Sequence, residues 1–394
     1  MSIRPLDGIT VISLEHAIAA PFCTRQLADL GARIIKVERP GSGDFARAYD
    51  KQVKGLSSHF VWVNRSKESV TLDLKQPSAL RILKTLLKTA DVLVQNLAPG
   101  AAIRMGLTAE LLQKENPQLI LCDISGYGNN GPYRDKKAYD LLIQSEAGFL
   151  SVTGTPESPS KAGNSIADIA AGMYAYTNIL AALLQRGKTG KGTVIDISML
   201  ESLGEWMSFP LYYAYDGADA PPRNGASHAT IYPYGPFKAG DGKTVMLGLQ
   251  NDREWVQFCE IVLESPMLAQ DERFTNNFKR NEKRTELLEI INACFSKLTS
   301  EQLIAKLDKA QIANAHLNDM EGLWKHEQLK ARNRWTEVGT PNGNIAALLP
   351  PGLNDTYNYR MDPIPAVGEH TDSILKELGL AESDIASMRA SGAI

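Results

Sequence analysis

Short apolar runs alternate with helical stretches along the first half of the chain, and few folds accommodate this rhythm. Strands are predicted at Thr10–Leu14, Arg33–Glu38, Ser69–Asp73, Asp91–Gln95 and Leu119–Ile124. Helices are predicted between them, from Pro21 to Leu30 and from near Pro77 and Thr108. Strands that alternate with helices form largely parallel sheets covered by helices on both faces. The sequence therefore predicts an α/β fold with a Rossmann-like parallel sheet.

The second half of the chain departs from this rhythm. A long apolar helix is predicted over roughly Ser165–Arg186, then a strand over Thr193–Ser198. The helix's uncharged run is shorter than the 18–20 residues that a membrane span needs, which favours a buried helix. From Pro221 onward, proline-rich connectors, a hairpin at Asp241-Gly242 and several helices follow. We predict a large α/β domain over 1–220, a smaller α+β domain over 225–325, and a C-terminal segment, 330–394, that returns to the large domain.

Charge and cysteine usage exclude several classes of protein. The chain of 394 residues has 42 Lys and Arg against 45 Asp and Glu, a net charge of −3, whereas a dedicated nucleic-acid binder is usually basic. The four cysteines are far apart and form no CxxC pair, which is typical of thiols in a reducing compartment. The six histidines show no metal-ligand spacing. We expect a cytoplasmic protein that binds no nucleic acid, no membrane and no metal.

A glycine-rich segment follows the strand predicted at Leu119–Ile124. Gly126-Tyr-Gly-Asn-Asn-Gly131 matches the G-x-G-x-x-G pattern of dinucleotide sites, but Pro132 comes next and no helix is predicted to begin there. The helix N-terminus that would bind a phosphate is therefore missing, and a surface loop is the favoured interpretation. Backbone N–H groups of residues 125–131 are candidate oxyanion donors.

The residues that follow the predicted strands suit an anionic ligand. Ligands of open α/β sheets bind beyond the carboxyl ends of the strands. His16, Arg39, Lys75 and Asn96 come at such ends, and Arg104 follows shortly after. Each cation alone is typical of a solvated surface, but the set as a whole matches a ligand with several phosphates.

Asp168 lies near the start of the long apolar helix and has two possible roles. Ser165-x-x-Asp168 fits a capping box, in which Ser165 caps the helix and Asp168 reaches back to the cap's N–H. The alternative is a carboxylate nucleophile, kept ionised by the helix dipole. Spacing alone does not separate the two.

Short motifs spread over nearly the whole chain are more specific together than singly. They are Pro5–Gly8, Gly31–Asp44, Leu72–Lys75, Asn96–Gly100, Arg104–Gly106, Ser125–Gly128, Ala167-Asp168 with Ala171-Gly172, Thr189–Gly192 and Gly368–Thr371. In this combination the chain resembles the class III CoA-transferases of the CaiB/BaiF family. The resemblance implies that family's fold and an interlocked homodimer.

The resemblance also implies a set of site residues. Asp168 would be the catalytic aspartate. The residues implied to contact coenzyme A are His16, Ala17, Ile18, Ala19, Arg39, Leu72, Asp73, Leu74, Lys75, Asn96, Leu97, Arg104, Lys137, Ala138, Tyr139 and Asp140. Arg39, Arg104 and Lys137 would face phosphates, and residues 16–19 the thiol end. Acyl-CoA and a small carboxylic acid would be substrates, with no permanently bound cofactor.

The implied reaction is covalent. Asp168 would attack the thioester of the donor acyl-CoA and form a mixed anhydride. The released thiolate would return to give an aspartyl-CoA thioester, and an acceptor carboxylate would repeat these steps in reverse.

Three alternatives are less favoured. Racemases of 2-methylacyl-CoA in this superfamily have a histidine where Tyr139 stands, so a two-base racemase lacks its second base. The formyl/oxalyl-CoA branch has a glutamine where Ile18 stands and a glycine run where this chain has Gly248-Leu-Gln-Asn251. An acyl-CoA-binding protein without catalysis would not need Asp168.

Two segments resemble the branch that acts on C4–C5 dicarboxylates. They are Arg223–His228 and Tyr232–Phe237. This resemblance implies succinyl-CoA as donor and itaconate, mesaconate or citramalate as acceptor. We hypothesise that Arg223 or His228 binds the distal carboxylate of the substrate, and an ordinary role in a loop between domains is the alternative.

Overall fold

The computed structural model describes residues 3–394, which divide into two compact units. Unit 1 contains the residues up to Gly148, Ala162–Ser208 and Ala331–Ile394, and unit 2 contains Phe149–Lys161 and Phe209–Lys330. The domains predicted from the sequence stay a prediction, because compactness alone does not show that a segment folds independently.

Unit 1 is built on a six-stranded parallel sheet. Its strands are β1 Thr10–Leu14, β2 Arg33–Glu38, β3 Lys67–Thr71, β4 Val92–Gln95, β5 Ile120–Ser125 and β6 Val194–Ser198. Their order is β3-β2-β1-β4-β5-β6, and Ile12 of β1 lies opposite Ile35 of β2 and Leu93 of β4. The predicted α/β fold is confirmed.

Helices pack against this sheet and bury its apolar side chains. They are Ala19–Asp29, Ser58–Val63, Pro77–Leu87, Ala101–Arg104, Ala109–Glu115, Asp140–Glu146, Ile166–Thr189, Met199–Trp206, Thr371–Glu377 and Glu382–Ala390, with a 3₁₀ turn at Phe45–Ala48. Val37, Leu83, Leu93 and Ile374 are among the core residues that they cover. A two-stranded antiparallel sheet, Trp335–Val338 with Ile345–Leu348, also belongs to unit 1.

The helix Ile166–Thr189, named here the Asp168 helix, packs against the helix Ala19–Asp29 and against β5 and β6. A Cβ atom added at Gly172 would lie 2.7 Å from the carbonyl oxygen of Ala19, so only glycine permits this approach. The Asp168 helix is long and apolar enough to cross a membrane by length and composition, a test that core helices of soluble proteins also pass. Its close contact brings its first turn beside the start of its neighbour.

The motif Gly368–Thr371 binds the edge strand β3. The N–H of Gly368 donates to Ser69 Oγ at 2.9 Å, and His370 Nδ1 accepts from the Ser69 N–H at 3.2 Å. Thr371 Oγ1 accepts from the Thr71 N–H at 3.0 Å. The motif therefore satisfies polar groups of β3 with side chains from the far end of the chain.

Unit 2 contains an antiparallel sheet of Tyr234–Lys238, Thr244–Gly248 and Ala313–His316. The first two strands form the predicted hairpin at Asp241-Gly242. The helices in this part of the chain are Phe149–Val152, Ser208–Tyr213, Asp252–Gln257, Asn277–Glu282, Arg284–Phe295, Ser300–Lys309, Met320–Trp324 and Glu327–Ala331, with shorter turns at Tyr215–Gly217, Phe258–Val262 and Pro266–Gln270. Trp255, Phe258 and Phe295 are fully buried in a core of its own.

Candidate active site

The six parallel strands of unit 1 bring their carboxyl ends to one edge, and the direction of strand order changes between β1 and β4. Two predicted site residues meet at this switch point. The N–H of His16 donates to Asn96 Oδ1 at 2.9 Å, and Asn96 Nδ2 donates to the carbonyl oxygen of His16 at 2.9 Å. Crevices at such switch points bind ligands in open α/β sheets.

Asp44 stabilises the turn that connects β1 to the helix Ala19–Asp29. Ala17 has a φ of +59°, an unfavourable value for a residue with a side chain. Asp44 Oδ1 accepts hydrogen bonds from the N–H groups of Ala17 at 3.2 Å and Ala46 at 2.9 Å. Lys36 Nζ donates to Asp44 Oδ2 at 2.7 Å. These bonds maintain the left-handed residue and thereby the path of the turn.

A buried ion network lies behind this turn. The side chains of Glu15, Lys36, Asp44 and Lys67 have no solvent exposure, and Lys67 Nζ lies 2.7 Å from Glu15 Oε1. Burial opposes ionisation of Glu15, but Lys67 and Lys36 outweigh it and lower its pKa. Burial also lowers the pKa of Lys67, to about 8. Sequence reasoning missed the network because charged residues are normally on the surface.

Asp168 is partly buried in the first turn of its helix. Burial and, after it, the charge of the neighbouring Asp140 raise the pKa of its carboxyl group to about 7, although the N–H of Ala19 opposes both. The helix dipole therefore does not keep Asp168 fully ionised at neutral pH, because burial and the charge of Asp140 raise its pKa. A carboxylate that is half protonated near neutrality is unusually basic for its type.

The capping box, one of the two roles that the spacing left open for Asp168, does not form in the structure. The Ser165 side chain accepts no capping hydrogen bond. Instead, Asp140 Oδ1 accepts from the N–H groups of Ala167 at 2.8 Å and Asp168 at 3.4 Å. The cap thus comes from another helix, which leaves the carboxylate of Asp168 available for chemistry.

An aromatic row extends from His16, in the turn, to His59. The ring of His16 stacks on Phe45 with centroids 5.3 Å apart, Phe45 contacts Tyr49 at 5.8 Å, and Tyr49 contacts His59 at 5.4 Å. Burial raises the pKa of Tyr49, and the charges of Asp44, Asp168 and Tyr139 add to the effect. The hydroxyl of Tyr49 is therefore near the candidate nucleophile. Sequence reasoning missed this row, since none of its rings carries a recognisable spacing.

The four predicted cations of the site are exposed. The charged groups of Arg39, Lys75, Arg104 and Lys137 form no ion pair with a carboxylate in the part of the chain that the structure describes. Arg47 contrasts with them, because it binds Glu38 through two hydrogen bonds of 2.9 and 2.7 Å. Exposed cations without carboxylate partners remain available to phosphates.

Other residues of the predicted coenzyme A set are partly or fully committed to packing. Leu72 is buried in the core of unit 1, and Leu74 and Leu97 pack against it. Ile18 and Ala19 are also buried, and Ala138 packs against Gly126. Asp73 accepts from the Lys75 N–H at 3.2 Å, whereas Tyr139 is largely exposed. For the buried members, a ligand contact would have to use the backbone.

The glycine-rich loop is not followed directly by a helix, since the next one begins at Asp140. Its N–H groups are partly occupied. Gly128 N–H donates to Ser125 Oγ at 2.9 Å and Asn129 N–H to Asp196 Oδ2 at 3.0 Å. These two groups are not free oxyanion donors, and the N–H of Ala19 faces Asp168 instead.

Arg223 and His228 belong to unit 2, whereas Asp168 belongs to unit 1. The guanidinium of Arg223 donates to the carbonyl oxygens of Thr155 and Pro156, each at 2.9 Å. His228 Nδ1 accepts from the N–H groups of Thr230 and Ile231, each at 3.1 Å. Both side chains stabilise loops, and their contact with substrate stays a prediction.

Comparisons with known proteins show which family the chain resembles throughout its length. The profile of CoA-transferase family III matches residues 6–371. The chain is 34% identical to succinyl-CoA:glutarate CoA-transferase of Mus musculus over 400 residues, which cover 100% of this chain and 91% of that protein. It is 35% identical to acetyl-CoA:oxalate CoA-transferase of Acetobacter aceti over 337 residues, 85% and 86% of the two chains. A crystal structure of a CaiB/BaiF family protein from Brucella suis superposes with a TM-score of 0.85 at 31% identity and covers 96% of this chain and 100% of that one.

Proposed function

Because the chain belongs to CoA-transferase family III and is a CoA-transferase, we propose that it moves CoA from succinyl-CoA to a dicarboxylic acid of four or five carbons. One observation carries the proposal. Asp168 is a partly buried carboxylate, not engaged as a helix cap, at an edge of the sheet that also presents exposed cations. A nucleophile and a phosphate-binding surface are the two parts that the reaction needs.

Asp168 acts as the nucleophile in four steps. Its oxygen attacks the succinyl carbonyl, the C–S bond breaks, and CoA thiolate leaves from a succinyl-aspartyl anhydride. The thiolate attacks the Asp168 carbonyl carbon, which releases succinate and forms an aspartyl-CoA thioester. The acceptor carboxylate attacks this thioester and expels the thiolate, which then attacks the acceptor's carbonyl and restores Asp168. Atoms and charge balance without a net proton transfer.

The turn beside Asp168 supplies the stabilising groups. The N–H of Ala19 is at the first turn of its helix and faces the Asp168 carboxyl group, so it can donate to an oxyanion that forms on this group. Arg39, Lys75, Arg104 and Lys137 bind the phosphates.

A dicarboxylate acceptor is supported by the relative from Mus musculus, whose name specifies glutarate, a five-carbon dicarboxylic acid. Itaconate, mesaconate and citramalate are of the same class. Oxalate is the second candidate, because the relative from Acetobacter aceti is named for it. Ile18, where the oxalyl branch has glutamine, favours the longer acids. An acceptor panel with succinyl-CoA should rank glutarate and the C5 acids above oxalate, and a preference for oxalate would reverse this assignment.

Trapping the intermediate tests the role of Asp168. Incubation with succinyl-CoA followed by hydroxylamine should inactivate the enzyme, and mass spectrometry should find the hydroxamate on Asp168. The Asp168→Asn variant should neither form the adduct nor turn over. Ser165→Ala, which changes a neighbour without a capping bond, should behave as the wild type. Full turnover by Asp168→Asn would reject the proposal.

We further propose that the enzyme is a cytoplasmic homodimer without a permanently bound cofactor. Free thiols at Cys23, Cys122, Cys259 and Cys294 support a reducing compartment. Large apolar side chains are exposed along one short segment of unit 2, among them Phe209, Leu211, Tyr212 and Tyr215. Such a concentration is typical of a surface that a partner covers. Sedimentation equilibrium should give twice the chain mass, and a stable monomer would contradict the dimer.

A further inference from the structure

Asp140 occupies an uncommon position beside the nucleophile. Its Oδ1 accepts hydrogen bonds from the N–H groups of Ala167 and Asp168, at 2.8 and 3.4 Å, in the first turn of the Asp168 helix. Its Oδ2 accepts from Gln144 Nε2 at 2.6 Å. Both oxygens therefore have protein donors, which fix the orientation of the carboxylate.

We propose that Asp140 is a positioning residue of the CoA-transfer reaction, which holds the first turn of the Asp168 helix and keeps a negative charge beside the nucleophile. This inference rests on the proposed function and assigns Asp140 a role other than contact with coenzyme A. Two N–H groups that would otherwise stabilise the Asp168 anion are occupied by Asp140. Asp168 is thereby both fixed in place and made more basic.

The charges around Asp168 support this role. Besides burial, only Asp140 and the N–H of Ala19 shift the pKa of Asp168 in the described part of the chain, and they act in opposite directions. Asp168 in turn acts on one further titratable group, because its charge helps to raise the pKa of Tyr49. The other charged residues on the elements packed against the helix are Arg25, Asp29, Asp123, Glu146, Asp196, Glu201 and Glu205.

The chemical consequence concerns the resting anion. A negative neighbour raises the energy of the Asp168 carboxylate, but the anhydride and the thioester formed on it carry no charge and avoid that repulsion. Asp140 thus favours formation of the covalent intermediates. The hydrogen bonds to the helix keep the attacking oxygen in one place, where small displacements are costly to the rate.

Two substitutions separate charge from capping. Asp140→Asn keeps an acceptor for the helix N–H groups and removes the charge, so the acid-limb midpoint of kcat/KM should move to lower pH by about one unit. Asp140→Ala should shift the midpoint at least as far, because it also frees the two N–H groups of the helix, and should reduce kcat by roughly tenfold or more because the cap is lost. Gln144→Met is the matched control. It removes the hydrogen bond from Gln144 Nε2 to Asp140 Oδ2 but leaves the charge of Asp140, so it should keep the wild-type midpoint.

A different result is expected if Asp140 only contacts coenzyme A. If Asp140 acted only as a coenzyme A contact, Asp140→Asn would raise the KM for the CoA ester and leave the pH midpoint unchanged, which would overturn the inference. Titration of ¹³C-labelled aspartate carboxyl groups by NMR, without substrate, measures the Asp168 pKa directly. It should fall in Asp140→Asn and not in Gln144→Met. An unchanged value would reject the role of Asp140, whereas failure to trap an adduct on Asp168 would reject the proposed function alone.

Discussion

Burial of the ionised Asp168 carboxylate costs the folded protein stability. Desolvation and a like charge both disfavour its ionised form, so its pKa is raised from 3.8 to about 7. The group is therefore about half protonated at neutral pH and still partly ionised. A carboxylate with an ordinary pKa would be fully ionised but a weaker nucleophile.

The pH dependence of the transfer follows from this pKa. In the proposed mechanism only ionised Asp168 attacks the thioester, so kcat/KM for succinyl-CoA should fall about tenfold per unit as the pH drops below about 7 and should be level above it. Initial rates between pH 5 and 9 measure this limb. A rate that stays constant down to pH 5 would contradict the raised pKa.

The same shift predicts that the active site destabilises the fold. A raised carboxyl pKa means that the folded state disfavours the anion, so the cost is absent below pH 4, grows up to about pH 7, and is constant above. Asp168→Asn should therefore increase the free energy of unfolding at pH 8 by at most about 4 kcal/mol and leave it nearly unchanged at pH 4. Denaturant unfolding at the two pH values measures this difference, with Ser165→Ala as the control. Equal effects at both pH values would contradict the assignment.

At the scale of elements, the contact between two helices positions Asp168, the proposed nucleophile. Gly172 lies one turn beyond Asp168 and allows the Asp168 helix to touch the carbonyl of Ala19. The buried Ala167, Ala171 and Ala175 continue this small-residue face. The contact places the first turn of one helix against the first turn of the other, where Asp168 and the N–H of Ala19 meet.

Gly172→Ala should separate these two helices. Its Cβ would lie 2.7 Å from the Ala19 carbonyl oxygen and 3.0 Å from Phe22 Cδ1, so the backbone has to shift. We expect a loss of about 1–3 kcal/mol in stability and a kcat at least tenfold lower. Gly187→Ala on the same helix is the control, because nothing lies within 4 Å of its added Cβ. Wild-type kcat in Gly172→Ala would show that the close approach is dispensable.

Particular elements show how much of this arrangement the sequence predicts. The predicted bounds of β1 and β2 agree with the structure, because each is a short apolar run with turn residues on either side. β3 begins at Lys67, two residues before its predicted start. The prediction missed these two residues because Lys and Glu are typical of the surface, whereas Lys67 is buried in an ion network. The cap on the Asp168 helix comes from Asp140, 27 residues before the Ala167 N–H that it binds, and no local pattern indicates that contact.

At the scale of the whole molecule, distant parts of the sequence complete unit 1. The motif Gly368–Thr371 binds β3, about 300 residues earlier in the chain, and Asp73 N–H donates to the Ala393 carbonyl at 2.8 Å. Local sequence does not reveal such pairings, although the motif itself is visible. Its role is therefore structural, since it satisfies the backbone of an edge strand.

Thr371→Val should loosen this closure. The N–H of Thr71 and the hydroxyl of Thr71 both lose their partner inside the protein, a loss of about 1–3 kcal/mol in the free energy of unfolding. Thr371→Ser keeps the hydroxyl and should restore most of that stability. Chemical denaturation of the full-length protein measures both variants. Equal stability of Thr371→Val and the wild type would show that water replaces the lost bonds.

The two neighbouring carboxylates have a consequence for how the enzyme waits between turnovers. In the proposed cycle, acylation neutralises Asp168, so the repulsion from Asp140 ends and the buried charge disappears. The free enzyme then bears the unfavourable charge repulsion, and the acylated enzyme does not. Where acyl-CoA is plentiful, we therefore expect the enzyme to accumulate as the neutral covalent intermediate, so that binding of the acceptor acid limits the rate.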